Sequence, residues 1–240
     1  MPTVVLIHGL FGFGRILWLE YFNGVRPLYE AMGLRVVVPV LPWAGNIDER
    51  SQKLAEQLAN EPGPLHLVAH SMGGIDARAY ISRLGGAHKV ATLTTLATPH
   101  LGSPAADHVC NSFSPFRIFA GVRSLTREQL IGFNSTTLDI PNVVYRSYAA
   151  RRPVNEHPWI VRRYGRIIEH QEGPNDSQVS VDSASWGESV GILQADHFEL
   201  IGRNFWFNPF KARERFDHLQ LYREIGEWIL RQASADNQSR

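Results

Sequence analysis

The sequence predicts an α/β fold, a mostly parallel central sheet flanked by helices, and three observations point there. Short runs rich in β-branched residues alternate along the chain with longer stretches of helical periodicity. Each run is bounded by Gly, Pro or Asn, as buried strands are. The length, 240 residues with 44% hydrophobic side chains, fits one large domain with a sizeable core, since α/β domains commonly run to roughly 200–250 residues.

Thr3–Ile7 is the first expected strand, a run of apolar and β-branched residues with no alternation, which suits a strand covered on both faces. Arg35–Val38 follows, then a helical stretch over Ser51–Asn60 closed by Pro62-Gly63. Leu65–Ala69 is the third strand, and Gly74–Leu84 reads as a helix ended by Gly85-Gly86. Val90–Leu96 and Val143–Tyr148 complete the expected strands. Phe216–Gln232 forms a terminal helix with Leu219, Tyr222, Ile225, Trp228 and Ile229 on one face. Two segments break the alternation. Residues 102–134 carry Phe113, Phe116 and Phe119 among Ser, Pro and Gly without a clean strand, which makes them a candidate short cap or lid or, equally, a surface helical insertion. Residues 150–174 start irregularly and turn helical through Pro158–His170. No internal repeat, low-complexity segment or linker divides the chain into a second domain.

Composition excludes several partners. A net charge of +1 gives no electrostatic reason to expect nucleic acid, and the pairs Arg151-Arg152 and Arg162-Arg163 read as solvated surface. Cys110 is the sole cysteine, so no intramolecular disulfide can form, which favours a reducing, cytoplasmic compartment over the alternative of a disulfide-free secreted enzyme. Met1–Leu10 lacks the basic lead-in and cleavage site of a signal peptide and is too short to span a membrane, so no transmembrane segment is expected. The Asn237–Arg240 end carries no lipidation or peroxisomal signal.

The chemistry centres on Leu65-His66-Leu67-Val68-Ala69-His70-Ser71-Met72-Gly73-Gly74. An apolar strand reads into a serine flanked by small residues at both neighbouring motif positions, the pattern of a nucleophile elbow in which Oγ projects from a sharp strand-to-helix turn. Ala69 stands where glycine is usual. A serine is a weak nucleophile without a base, and the base needs an orienting acid. His197, in the Ala195–Leu200 loop before the terminal helix, occupies the place expected for the base. His218 lies within the helical pattern and reads as a surface residue. Asp176, in the turn Gly173-Pro174-Asn175-Asp176-Ser177, is the first choice for the acid. Asp182, in an alternating Val179–Asp182 stretch, and Asp196, beside His197, are its rivals, and a turn-capping role for Asp176 stays open. The carbonyl charge of an acyl transfer needs two backbone N–H donors. Met72, opening a helix, and Leu10, in His8-Gly9-Leu10-Phe11-Gly12, are the candidates. His8 and His70 read as structural histidines.

Four segments together resemble the lipases and esterases of the α/β-hydrolase superfamily, especially the triacylglycerol lipases of bacteria. They are Val4–Gly12, the Ala69–Gly74 elbow, Leu96-Ala97-Thr98-Pro99-His100-Leu101-Gly102-Ser103-Pro104, and Asn175-Asp176 with Asp196-His197. The resemblance implies the α/β-hydrolase fold with a short cap, Ser71 as nucleophile, His197 as base, Asp176 as acid, and Leu10 and Met72 as oxyanion donors. Ser177 departs from the Asp-Gly that is usual at this turn. Some members hold a structural calcium ion with an aspartate just after the catalytic histidine; here Glu199 takes that position and Glu156 is the only further ligand suggested, so neither metal nor cofactor is expected.

Phe11, Phe13, Trp18, Phe113, Phe116 and Phe119 lie near the oxyanion loop or in the candidate cap, where half could be plain core and the rest would line an acyl pocket. The resulting expectation is a serine hydrolase of small-molecule esters or lipids with apolar acyl chains, with transient contact to a lipid interface. Thioesterase, amidase and carbon–carbon hydrolase activities share the fold, as do non-catalytic binders.

Overall fold

Strands and helices alternate as the sequence implies. In the computed structural model, which describes residues 1–12, 15–16, 19–206 and 213–238, the chain runs through β1 (Thr3–Ile7), the short pair β2 (Arg15–Ile16) and β3 (Leu19–Glu20), α1 (Val25–Ala31), β4 (Arg35–Val37) and α2 (Ile47–Leu58). It continues through β5 (Leu65–His70), α3 (Met72–Arg83), β6 (Val90–Leu96), α4 (Pro104–Cys110), α5 (Ala120–Ser124) and α6 (Arg127–Thr136). The last part holds β7 (Val144–Ala150), α7 (Arg162–Glu172), α8 (Val181–Ala184), β8 (Glu188–Leu193) and α9 (His218–Gln238). Phe13 and Trp18 lie outside the described residues.

Six strands form one parallel sheet in the order β4-β1-β5-β6-β7-β8. This is the sheet that the resemblance implies. β1 shows why its run is apolar without alternation: Val4 and Leu6 pack with α1 and α9 on one face, Val5 and Ile7 with α2 and α3 on the other, and all four are fully buried. On α9, Tyr222, Ile225 and Ile229 are buried on the sheet, with Leu219 and Trp228 at the margin.

The departures from the sequence reading have physical causes. β8 had no signal, because it is an edge strand with no buried residue and a glycine at Gly191, so nothing forces a continuous apolar run. α2 begins four residues earlier than its hydrophobic period suggests, since Asn46 accepts the Glu49 N–H (2.8 Å) and Glu49 reaches back to the Asn46 N–H (3.0 Å). The alternating Val179–Asp182 stretch is not extended: Ser180 caps a helical turn by accepting the Ser183 N–H at 3.1 Å. Residues 102–134, read as a cap or a helical insertion, hold α4, α5 and most of α6. His218 is not a plain surface residue; it is half-buried, and its Nε2–H donates to the Asn23 carbonyl at 2.8 Å.

Candidate functional site

Loops from the carboxyl ends of the strands converge on Ser71. The turn from β5 into α3 passes through Ser71 at φ 55°, ψ −132°, a left-handed conformation for a residue with a side chain. That turn is possible because Gly73 and Gly9, which pack closely around it, have no side chains. A Cβ on Gly73 would stand 2.6 Å from the Ile7 carbonyl oxygen, and one on Gly9 would stand 2.8 Å from the Ser71 Cβ. Thr98 Oγ1 braces the elbow from the end of β6 by donating to the Ser71 carbonyl at 2.8 Å. The Ala-Thr-Pro-His segment thereby acquires a local purpose. His100, buried beneath it, stacks on Trp186 and is fixed by Asn134, whose side-chain amide donates to the His100 carbonyl.

Asp176 and His197 meet. The Nδ1–H of His197 donates to Asp176 Oδ2 at 2.7 Å, and the backbone N–H of His197 donates to the Asp176 carbonyl at 2.9 Å. The other carboxylate oxygen accepts the N–H groups of Gln178 and Val179. With Nδ1 protonated and engaged, Nε2 is the basic nitrogen of the ring. Neither rival acid reaches His197 Nδ1. Asp182 is exposed on α8, and the carboxylate of Asp196 is turned to the Phe198 and Glu199 N–H groups and to Arg213.

A buried chain of hydrogen bonds connects the serine turn, the histidine loop and the loop after β1. Gly9 N–H donates to Tyr21 Oη (3.1 Å), Tyr21 O–H donates to His70 Nδ1 (2.7 Å), and His70 Nε2–H donates to the His197 carbonyl (3.1 Å). The rings of His70 and His197 lie 4.5 Å apart. Burial and the neighbouring His197 hold His70 well below the usual imidazole range, so it stays neutral and keeps this donor–acceptor polarity. Tyr21 had no sequence signal. Its role depends on a contact with His70 across 49 residues.

The loop after β1 is fixed from behind. His8 is fully buried; its Nδ1–H donates to the Gly9 carbonyl and its Nε2 accepts the Leu41 N–H. Burial, aided by Arg50, draws its pKa down to about 4. Arg50 is fully buried and donates to the His8 carbonyl (2.7 Å), the Pro42 carbonyl (2.8 Å) and Asp76 Oδ2 (2.8 Å). Burial outweighs that partner and pushes Asp76 up to about 6. Gly9, Phe11 and Gly12 each have bonded N–H groups, whereas the N–H groups of Leu10 and Met72 donate to no described residue. These two amides are the pair the sequence singled out.

Of the expected lining residues, Phe11 and Phe116 meet, with ring centroids 5.9 Å apart. Phe119 and Trp43 complete the cluster at 5.4 and 5.5 Å from Phe11. Trp43 carries no sequence signal because it sits in the Pro-rich turn after β4, far in sequence from the others. Phe113 does not join them: it is 99% exposed, and its ring lies over the Arg117 guanidinium. Trp18 lies outside the described residues. The carboxylates of Glu199 and Asp196 are engaged by arginines, and no group of three or more metal-ligating side chains occurs among the described residues.

Residues 4–223 match the family model described as alpha/beta hydrolase family. Triacylglycerol lipase 2 of Saccharomyces cerevisiae is 30% identical, over 90% of this chain and 75% of its own length. The triacylglycerol lipase of Pseudomonas fragi is 32% identical over 48% of this chain and 40% of its own. Among solved structures, the metagenomic carboxyl esterase MGS0156 superposes with a TM-score of 0.82 at 20% identity, over 96% of this chain and 76% of that one.

Ser177 adopts φ 89°, and its buried hydroxyl has no partner among the described residues, so Ser177→Gly relieves backbone strain and an unsatisfied group together. We expect it to stabilise the fold by about 1 kcal/mol, read as a thermal midpoint raised by about 2–4 °C. His8 gives a pH-dependent expectation. Its folded pKa of about 4 lies below the ordinary 6.5, so below pH 6.5 the unfolded chain binds the proton first. The stability contributed by neutral His8 is complete above pH 6.5 and is lost as pH falls towards 4, amounting to about 3 kcal/mol. Urea midpoints measured over that window should fall more steeply for the parent than for His8→Gln.

Proposed function

The chain belongs to the alpha/beta hydrolase family, and on that premise we propose that it is a carboxylic ester hydrolase of the lipase/esterase type acting through Ser71, His197 and Asp176. The observation that carries the reading is the buried 2.7 Å bond between Asp176 and His197 Nδ1, joined to the elbow through His70. It fixes the imidazole tautomer that a serine nucleophile requires.

In this mechanism Ser71 Oγ attacks the ester carbonyl carbon while His197 Nε2 takes its proton. The carbonyl π electrons move to oxygen, and the N–H groups of Leu10 and Met72 receive the oxyanion. A donor of this kind is worth about 10²–10³ in turnover. The N-terminal dipole of α3 adds to Met72. Collapse of the tetrahedral species breaks the bond to the alkoxy group, which leaves with the proton held by His197. Water then attacks the acyl-Ser71 ester, His197 again takes a proton and returns it to Ser71 Oγ, and the carboxylic acid departs. Asp176 stabilises the imidazolium without itself becoming protonated.

The aromatic group Phe11, Trp43, Phe116 and Phe119, beside Leu10, supports an apolar acyl chain rather than a small polar one. The substrate class is therefore an ester or lipid with an apolar acyl group. Hydrolysis of p-nitrophenyl esters of increasing chain length measures this directly. Rates rising from acetate to medium or long chains, with a further jump at an emulsion, mark a lipase; an optimum at short chains without that jump marks an esterase. No hydrolysis of any ester by folded protein contradicts the proposal. Asp176→Asn should lower kcat about 10⁴-fold. Asp182→Asn should leave it within twofold, and the reverse ranking would show that the acid is misassigned.

A further inference from the structure

We propose that Arg213 clamps the loop carrying His197 by pairing with the two buried carboxylates that flank it, a role that elsewhere could fall to a bound divalent cation. The inference rests on the reading of His197 as the base. Asp196 and Glu199 stand one residue before and two after His197, and both are buried. Two buried carboxylates so close repel each other and cannot both stay ionised without compensating positive charge. Arg213 supplies it. Its Nη2 lies 3.0 Å from Asp196 Oδ2 and 2.8 Å from Glu199 Oε1, with only 2% of the side chain exposed. Its Nη1 donates to the Glu156 carbonyl at 2.6 Å, and the Trp206 ring lies 5.1 Å beneath the guanidinium.

A second arginine completes the charge balance. Arg152 Nε donates to Glu199 Oε2 at 3.2 Å, and the Arg152 backbone N–H donates to the Asn175 carbonyl, one residue before Asp176. The histidine loop and the acid loop are thus joined through Glu199 as well as through the Asp176–His197 bond itself. All four carboxylate oxygens are taken. Asp196 Oδ1 accepts the Phe198 and Glu199 N–H groups, and Glu199 Oε2 also accepts the Asp196 N–H. Each oxygen that would face a metal faces a guanidinium or an amide instead. The calcium ion that the family resemblance raised does not fit this donor set.

Arg213 is a positioning residue, so its removal should reach kcat and spare KM. In Arg213→Ala, hydrolysis of p-nitrophenyl butyrate should show kcat lowered about 100-fold, the scale of a misplaced catalytic group, with KM within twofold. Methylguanidinium at tens of millimolar should restore at least tenfold of that loss by filling the vacated site, and Arg213→Lys should retain more activity than alanine. Dialysis of the parent protein against EDTA, and addition of calcium chloride afterwards, should change neither its rate nor its thermal midpoint. A parent protein that loses activity or stability in EDTA and recovers with calcium overturns the proposal, because a metal would then hold the loop. So does an Arg213→Ala protein with kcat within twofold of the parent. If alanine at 213 does not fold, the EDTA result and the kcat of Arg213→Lys decide. A parent protein that hydrolyses no ester refutes the ester-hydrolase reading instead, and the thermal midpoint in EDTA still reports on the clamp.

Discussion

At Ser71 the backbone turns from strand to helix through a region that costs about 1–3 kcal/mol for a residue with a side chain, and the rest of the site exists to hold it there. The serine cannot relax. Its N–H is bonded to the Leu96 carbonyl, its carbonyl accepts the Thr98 hydroxyl and the Gly74 N–H, and the backbones of β1 and the Gly9 loop close against it. A parallel sheet covered on both faces supplies the rigid frame. Three loops from its carboxyl edge then reach the same point, where open α/β sheets bind their ligands.

Because these loops are buried, their polar groups must find partners within the protein. The result is a connected network rather than a set of separate residues. Gly9, Tyr21, His70 and His197 form one line, His8, Arg50 and Asp76 form another behind the loop after β1, and Asp196, Glu199, Arg152 and Arg213 form a third around the histidine. Each line fixes a backbone segment through a buried side chain whose protonation state is set by its neighbours. His8 and His70 stay neutral because burial penalises the charged ring, while carboxylates face Arg50 and Arg213.

The sequence was legible where one short stretch carries the whole signal. The β-branched runs of β1 and β6 mark those strands at their full lengths, and the small residues around Ser71 mark the elbow. Boundaries were less legible, since α2 depends on a cap at Asn46 that lies ahead of its apolar period. β8 was invisible, as an edge strand needs no apolar face. The supporting residues were not legible at all. Arg50 meets Asp76 across 26 residues, and Tyr21 meets His70 across 49, so no local pattern could tie either pair together. Asp176 stood between these extremes. Its turn was evident, but only the fold decides which of three acids faces Nδ1.

The central claim is that Ser71 is activated by the Asp176-bound His197. It is tested most directly by treating the folded protein with a fluorophosphonate and locating the adduct by intact-mass and peptide mass spectrometry. The account predicts one adduct per chain, on Ser71, and none in Ser71→Ala. A folded protein that takes up no label, or an adduct that persists in Ser71→Ala, contradicts it.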